Sequence, residues 1–145
     1  MRIDFAFLCD YAQGGPKINA LGIGFDVIVA PQVPFRHSHF SLVTQLRASI
    51  VEVGQKEVDI HVIDEDGRDL IPSLKTQINV PKPKTGVESI TRIVMELSNV
   101  NFPQYGFYSV RAAIDGMEMI NLSFRIAPPQ PKPDSLDQTK TDLIL

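Results

Sequence analysis

Ile3-Asp4-Phe5-Ala6-Phe7-Leu8-Cys9-Asp10-Tyr11 is the stretch from which the fold class is read. Ile3, Phe5, Phe7, Cys9 and Tyr11 occupy every second position, and successive side chains of an extended backbone point to opposite faces. A period of two therefore predicts a strand with this row turned inward and Asp4, Ala6, Leu8 and Asp10 on the other face. Gln13-Gly14-Gly15-Pro16 follows as a turn, because glycine reaches positive φ without a Cβ clash. The pattern predicts a return strand with Leu21, Ile23, Phe25 and Val27 inward, Gly22 and Gly24 lying where a bulge or another backbone comes close.

Outward from this hairpin the same period recurs. A proline-punctuated loop over residues 31–39 precedes a long strand that alternates Phe40, Leu42, Leu46 and Ile50 with Ser41, Gln45, Arg47 and Ser49. Val58, Ile60 and Val62 continue it to Asp64-Glu65-Asp66-Gly67, where Asp66-Gly67 is a strong hairpin signal. Leu74, Thr76, Ile78 and Val80 form the returning strand, which Pro81 and Pro83 stop by lacking a donor. Residues 89–100 fit both periods. Ile90, Ile93, Val94 and Leu97 suit a helix, while Ile93, Met95 and Leu97 suit a strand. Strand is preferred, because a lone helix would leave the neighbouring sheets without a partner. Residues 107–114 and 119–126 complete the set, joined at Asp115-Gly116, for about eight strands. From Ala127 the alternation ends in Pro128-Pro129-Gln130-Pro131-Lys132-Pro133 and a polar stretch closing on Leu143-Ile144-Leu145. The reading is one all-β domain over residues 1–126 and a disordered, Pro-rich tail over 127–145.

Size and charge narrow the function classes. The 145 residues suit one core, and 43% hydrophobic with 21% charged residues is the balance of an ordinary globular protein. The formal net charge is -3 with no run of lysines and arginines, so nucleic acid and anionic membranes are not the expected partners. Cys9 is the only cysteine, which excludes an intrachain disulfide and points to a reducing, cytoplasmic compartment. Asp4 and Asp10 interrupt the apolar N-terminus before it reaches the length of a signal peptide or a membrane span.

Asn101-Phe102-Pro103-Gln104-Tyr105-Gly106-Phe107-Tyr108-Ser109-Val110 resembles the corner before the penultimate strand of immunoglobulin-like domains. The resemblance implies that the Tyr108 hydroxyl bonds back to a nearby backbone carbonyl and that Gly106 is the small residue of the corner. Val110 stands where secreted domains of that class carry their second cysteine, so the resemblance implies the fold without its disulfide. The opening strand, Leu21-Gly22-Ile23-Gly24-Phe25-Asp26 and Asp64-Glu65-Asp66-Gly67 together resemble a family of small uncharacterised bacterial proteins, a domain of unknown function. That resemblance spans residues 1–126 and implies a small bacterial sandwich with no catalytic residues to carry over. The expectation is a single immunoglobulin-like antiparallel β-sandwich. Alternation leaves open a partly closed barrel, because it specifies faces and not strand order.

Candidate chemistry is sparse. His37 and His39 would point the same way on an extended chain, yet two ligands are not a site and the spacing supplies no third from Cys9, His61 or a carboxylate. Asp64, Asp66 and Asp69 lack the spacing and distal glutamate of a calcium loop and read as a hairpin. Cys9 lies in the apolar row, where burial raises a thiol pKa and makes it inert. No nucleophile elbow, phosphate loop or dinucleotide fingerprint occurs, so neither catalysis nor a cofactor is expected. The preferred binding surface is the segment over residues 29–39, where Pro31, Pro34, Phe35, Arg36, His37 and His39 mix rigid, aromatic and polar groups; its alternative is a stiffened crossover between sheets. The tail offers a P-x-x-P spacing at Pro128 to Pro131 and an apolar end that could add to a sheet edge. The expected function is a non-enzymatic interaction module that docks a protein partner, or itself as a homo-oligomer, through a sheet edge or end loop. A small-ligand or carbohydrate-binding sandwich ranks second, since the chain has no tryptophan for a sugar platform, and an enzyme with a loop-built site third.

Overall fold

The computed structural model describes residues 1–131. In chain order its strands are β1 (Arg2–Cys9), β2 (Tyr11–Gln13), β3 (Asn19–Leu21), β4 (Val27–Val29), β5 (Phe35–Ser49), β6 (Gly54–Ile63), β7 (Leu74–Val80), β8 (Glu88–Phe102), β9 (Gly106–Ile114) and β10 (Met117–Ala127). One 3₁₀ turn, Ile50–Glu52, links β5 to β6. The fold is therefore all-β, with the two short strands β2 and β3 raising the number above the eight or so that alternation suggests.

Two sheets enclose the core, one ordered β1-β5-β8 and the other β4-β10-β9-β6-β7. Among the described residues every ladder is antiparallel, as expected of the sandwich, except the short one of β4 with β10, which is parallel. A three-residue strand can lie beside a strand distant in sequence in either direction, and periodicity carries no information about which. Phe40 of β5, Phe102 of β8 and Phe124 of β10 are fully buried where the sheets face each other. Phe124 meets Phe102 edge-on at 5.7 Å, a geometry that favours aromatic rings, and lies tilted to Phe40 at 6.0 Å. A third layer lies outside the three-stranded sheet. The β2–β3 ribbon brings Ala12, Ile18 and Ala20 against Phe7, Cys9, Val43 and Val94, so Val43 is buried although it points away from the main core.

The first hairpin differs from its expectation in two ways. β1 pairs with β5, and a bulge between Ile3 and Phe5 shifts its register. A one-residue slip exchanges the faces of all that follows. Ile3 thus packs on the main core, but beyond the bulge Ala6 and Leu8 take over, leaving Phe5 39% exposed. The segment after β3 is not the expected strand. Gly22 and Gly24 adopt φ of 66° and 76°, which bends the chain and leaves Leu21 and Ile23 exposed, with Phe25 the residue of that row that packs on the core.

Elsewhere the strands follow the alternation. Residues 89–100 are strand, within β8. Asp115 and Gly116, both with positive φ, close the tight β9–β10 turn. Gly67 turns the chain after β6, but only one bridge, Ile63 to Asp69, follows before pairing resumes between Ile60 and Leu74. Ala127 belongs to β10, Pro128 to Pro131 have no regular structure, and the remainder of the expected tail lies outside the described residues.

Candidate functional site

The expected binding segment is partly strand. Pro31 and Pro34 are exposed in the loop, whereas Phe35, Arg36, His37 and His39 belong to β5, because β8 extends far enough to pair Phe35 with Phe102 and Arg36 with Asn101. Both strands change phase near Ser38 and Asn99. Inward residues run Phe35, His37, then Phe40 and Leu42 on β5, and Phe102, Val100, then Leu97 on β8, with Asn99 at φ 56°. This is why the two imidazoles do not point the same way, as an unbroken strand would require. His37 lies between Phe35 and Phe40, with ring centroids 5.9 and 5.7 Å away, and burial lowers its pKa. His39 lies on the outer side, its Nδ1 2.9 Å from the carbonyl oxygen of Asp10 and its ring 5.9 Å from Tyr11. Among the described residues no group of three His, Cys, Asp or Glu side chains converges for a metal.

Tyr108 and Gly106, the residues expected at the corner, lie where the β6–β7 loop meets the start of β9. The Tyr108 hydroxyl donates to the Gln104 carbonyl at 2.6 Å and accepts from the Gln104 amide at 3.3 Å. Its buried ring meets Phe102 edge-on at 4.9 Å, and burial raises the phenol pKa. Gly106 has φ 140°, and a Cβ there would fall 2.6 Å from Oε1 of Glu65, the oxygen that accepts from the Phe107 amide at 2.8 Å. Tyr105 donates to the Ala30 carbonyl at 2.9 Å. The corner thus ties together the β6–β7 loop, the start of β9 and the segment after β4.

Two candidates from the sequence dissolve into local structure. Asp64 Oδ1 accepts from the amides of Asp66 and Arg68, both at 2.9 Å, while Asp69 turns to His61, so these carboxylates do not share a site. Cys9 is completely buried, burial pushes its thiol pKa up, and it donates to the Tyr11 carbonyl at 3.5 Å.

Sequence reasoning missed the polar centre on the outer face of the five-stranded sheet. His61 Nδ1 is 2.8 Å from Asp69 Oδ1 and its Nε2 3.2 Å from Asp59 Oδ2, and the hydrogen bond to Asp69, reinforced by Asp59, raises its pKa. Arg111 stands opposite on β9 and pairs with Glu118 at 3.5 Å. His61, Asp69, Arg111 and Glu118 border a shallow depression of about 380 Å³. The i, i+2 spacing of Asp59 and His61 was the available signal, but Asp69 arrives through a loop.

The largest unfilled feature is an edge. β8 is 15 residues long and, among the described residues, pairs only with β5, so no described strand takes up the backbone groups of its other side. Ile90 of β8 is 37% exposed, and Val87, just before the strand, 77%. Among the described residues no helix is long and apolar enough to cross a membrane.

A family model described as Family of unknown function (DUF6941) matches residues 4–127. No curated protein matches the chain. Among solved structures, the chain is similar to the alkylpurine DNA glycosylase AlkC of Pseudomonas fluorescens, bound to DNA containing an abasic site analog. The identity is 12%, the TM-score 0.44, and the match covers 83% of this chain but 30% of that one. A likeness at that level carries no functional weight.

Proposed function

This chain belongs to the family of unknown function DUF6941, and we propose that it is a non-enzymatic interaction module of the bacterial cytoplasm. It docks an extended segment of a protein partner, or of a second copy, by strand addition at the free edge of β8. One observation carries the reading: among the described residues, a strand of 15 residues is paired on one side only. Unpaired amides and carbonyls in such a row either need guarding or recruit another strand, and backbone hydrogen bonds then supply the affinity while alternate side chains supply the choice of partner. The immunoglobulin-like reading of the sandwich belongs to the same proposal. It is supported by the Tyr108 bond and by a sheet in which β10, β9, β6 and β7 are neighbours, the order of the G, F, C and C′ strands of variable-type domains.

The test is affinity capture from host lysate with partner identification, alongside the oligomeric state. The wild-type chain is compared with Ile90→Lys/Ser98→Lys, which adds two edge lysines at exposed positions. Such changes alter stability by no more than about 0.5 kcal/mol each. Loss of one reproducible partner, or of self-association, in the lysine variant is the expected result. Undiminished capture by the variant, or a wild-type chain that stays monomeric and retains nothing, overturns the reading.

A further inference from the structure

We propose that the occupant of the β8 edge is β8 of a second copy, paired antiparallel about a two-fold axis at Val94, so that two three-stranded sheets join into one of six strands. This deepens the reading of that edge as the docking site and rests on it. Of the two edge strands on this flank, only β8 is open to such pairing. β7, which packs opposite it, carries Lys75 and lies between Pro72 and Pro81, residues that keep an edge unpaired. β8 has no proline, lysine or glycine from Glu88 to Phe102, and Ile90, Thr91, Ile93 and Val94 have the branched side chains that suit a strand. Among the described residues no backbone hydrogen bond outside the ladder with β5 involves it.

Shape and charge select the same register. Asn99, at φ 56°, ends the regular part of β8, and Val94 is the middle residue of the run from Ile90 to Ser98. An axis at Val94 lays that run against itself and keeps the kink outside the new ladder at both ends. It also sets Arg92 opposite Glu96 of the second copy on each side of the axis. Both side chains are exposed on the outer face, with Gln45 and Ser41 as their neighbours on β5. Arg92 donates to Gln45 Oε1 at 2.9 Å and to the Pro16 carbonyl at 3.4 Å, and among the described residues no carboxylate pairs with it. Glu96 has His39 Nε2 at 3.7 Å. On the inner face the register places Ile93 against Met95 of the second copy, joining the apolar rims of two cores. Moving the axis by one residue sets Arg92 opposite Val94 or Ser98 and leaves both charges without a partner. An axis at Arg92 opposes Arg92 to itself and Glu88 to Glu96, and one at Ile90 carries the ladder into Pro83.

The test is charge reversal in the full chain, read by sedimentation velocity over a dilution series, with circular dichroism of each variant. Arg92→Glu and Glu96→Arg each set like charges opposite one another on both sides of the axis, and each should weaken self-association about tenfold or more. An equimolar mixture of the two single variants restores both opposite-charge contacts in a mixed pair, as does Arg92→Glu/Glu96→Arg in its own. Both should return to within about threefold of wild type. Mixing cannot repair a misfolded chain, so recovery on mixing is specific to the contact. Self-association that the reversals leave unchanged, or weakening that mixing does not recover, overturns this register. A wild-type chain that stays monomeric overturns the second copy as occupant. The docking reading is judged apart: it stands where Ile90→Lys/Ser98→Lys abolishes self-association or the capture of a partner, and fails where it abolishes neither.

Discussion

Replacing Tyr108 by phenylalanine removes one oxygen and leaves the ring in place. The ring is 5% exposed and keeps its contacts with Phe102 at 4.9 Å and Phe124 at 6.1 Å, so no cavity opens and the measured loss belongs to the hydroxyl. That hydroxyl makes two bonds to Gln104, donating at 2.6 Å and accepting at 3.3 Å. A net intramolecular hydrogen bond contributes about 0.5–1.5 kcal/mol, and a buried group left unpaired costs about 1–3 kcal/mol. Gln104 is exposed, so water recovers part of the loss and the expected destabilisation is about 1–2 kcal/mol. For a domain of this size that lowers Tm by about 3–8 °C. Urea unfolding followed by far-ultraviolet circular dichroism reads it as a lower midpoint at unchanged slope. Tyr105→Phe is the comparison: its single bond to the Ala30 carbonyl comes from a ring 37% exposed, and about 0.5–1 kcal/mol is expected. A Tyr108→Phe chain within about 0.5 kcal/mol of wild type would refute the argument. The corner would then be packing alone, and the immunoglobulin-like reading would lose its local support.

Three further outcomes follow from the same geometry. Gly106→Ala forces a Cβ onto φ 140° and against Glu65 Oε1, so a loss of about 1–3 kcal/mol is expected in the same urea assay, and Glu65→Ala in that background should recover only the contact and not the backbone strain. His61 has a raised folded pKa, so its contribution is complete below its unfolded pKa of about 6.5 and is lost as pH rises through the folded value. The stability gap between wild type and His61→Asn should therefore narrow between pH 5.5 and 8.5 or so, and a gap that widens contradicts the ion-pair geometry. Cys9, buried with a raised thiol pKa, should react with a thiol reagent only as fast as the sheet opens, and denaturant should accelerate it steeply; rapid native labelling would contradict its burial.

Most strands were legible because period two is a local property. The rows Leu42–Leu46, Val58–Val62 and Leu74–Val80 needed no knowledge of their neighbours, and Asp115-Gly116 announced its turn through backbone chemistry alone. The Tyr108 hydroxyl bond was legible for the same reason, since the carbonyl it reaches is four residues away. The strand character of Phe35 to His39 was not, because it comes from β8, a partner far along the chain.

Alternation, turn glycines and prolines were enough to establish an all-β chain, and they placed Cys9 among the buried residues. They were silent on which strands pair, on the bulge that exchanges the faces of β1, on the phase change that parts His37 from His39, and on the arrival of Asp69 beside His61. Each of these depends on contacts between residues distant in sequence, and the energy that selects them is earned only when two sheets close over one core. The free edge of β8 is of that kind: a strand has an edge only by virtue of what pairs with it, and on one side of β8 no described strand does.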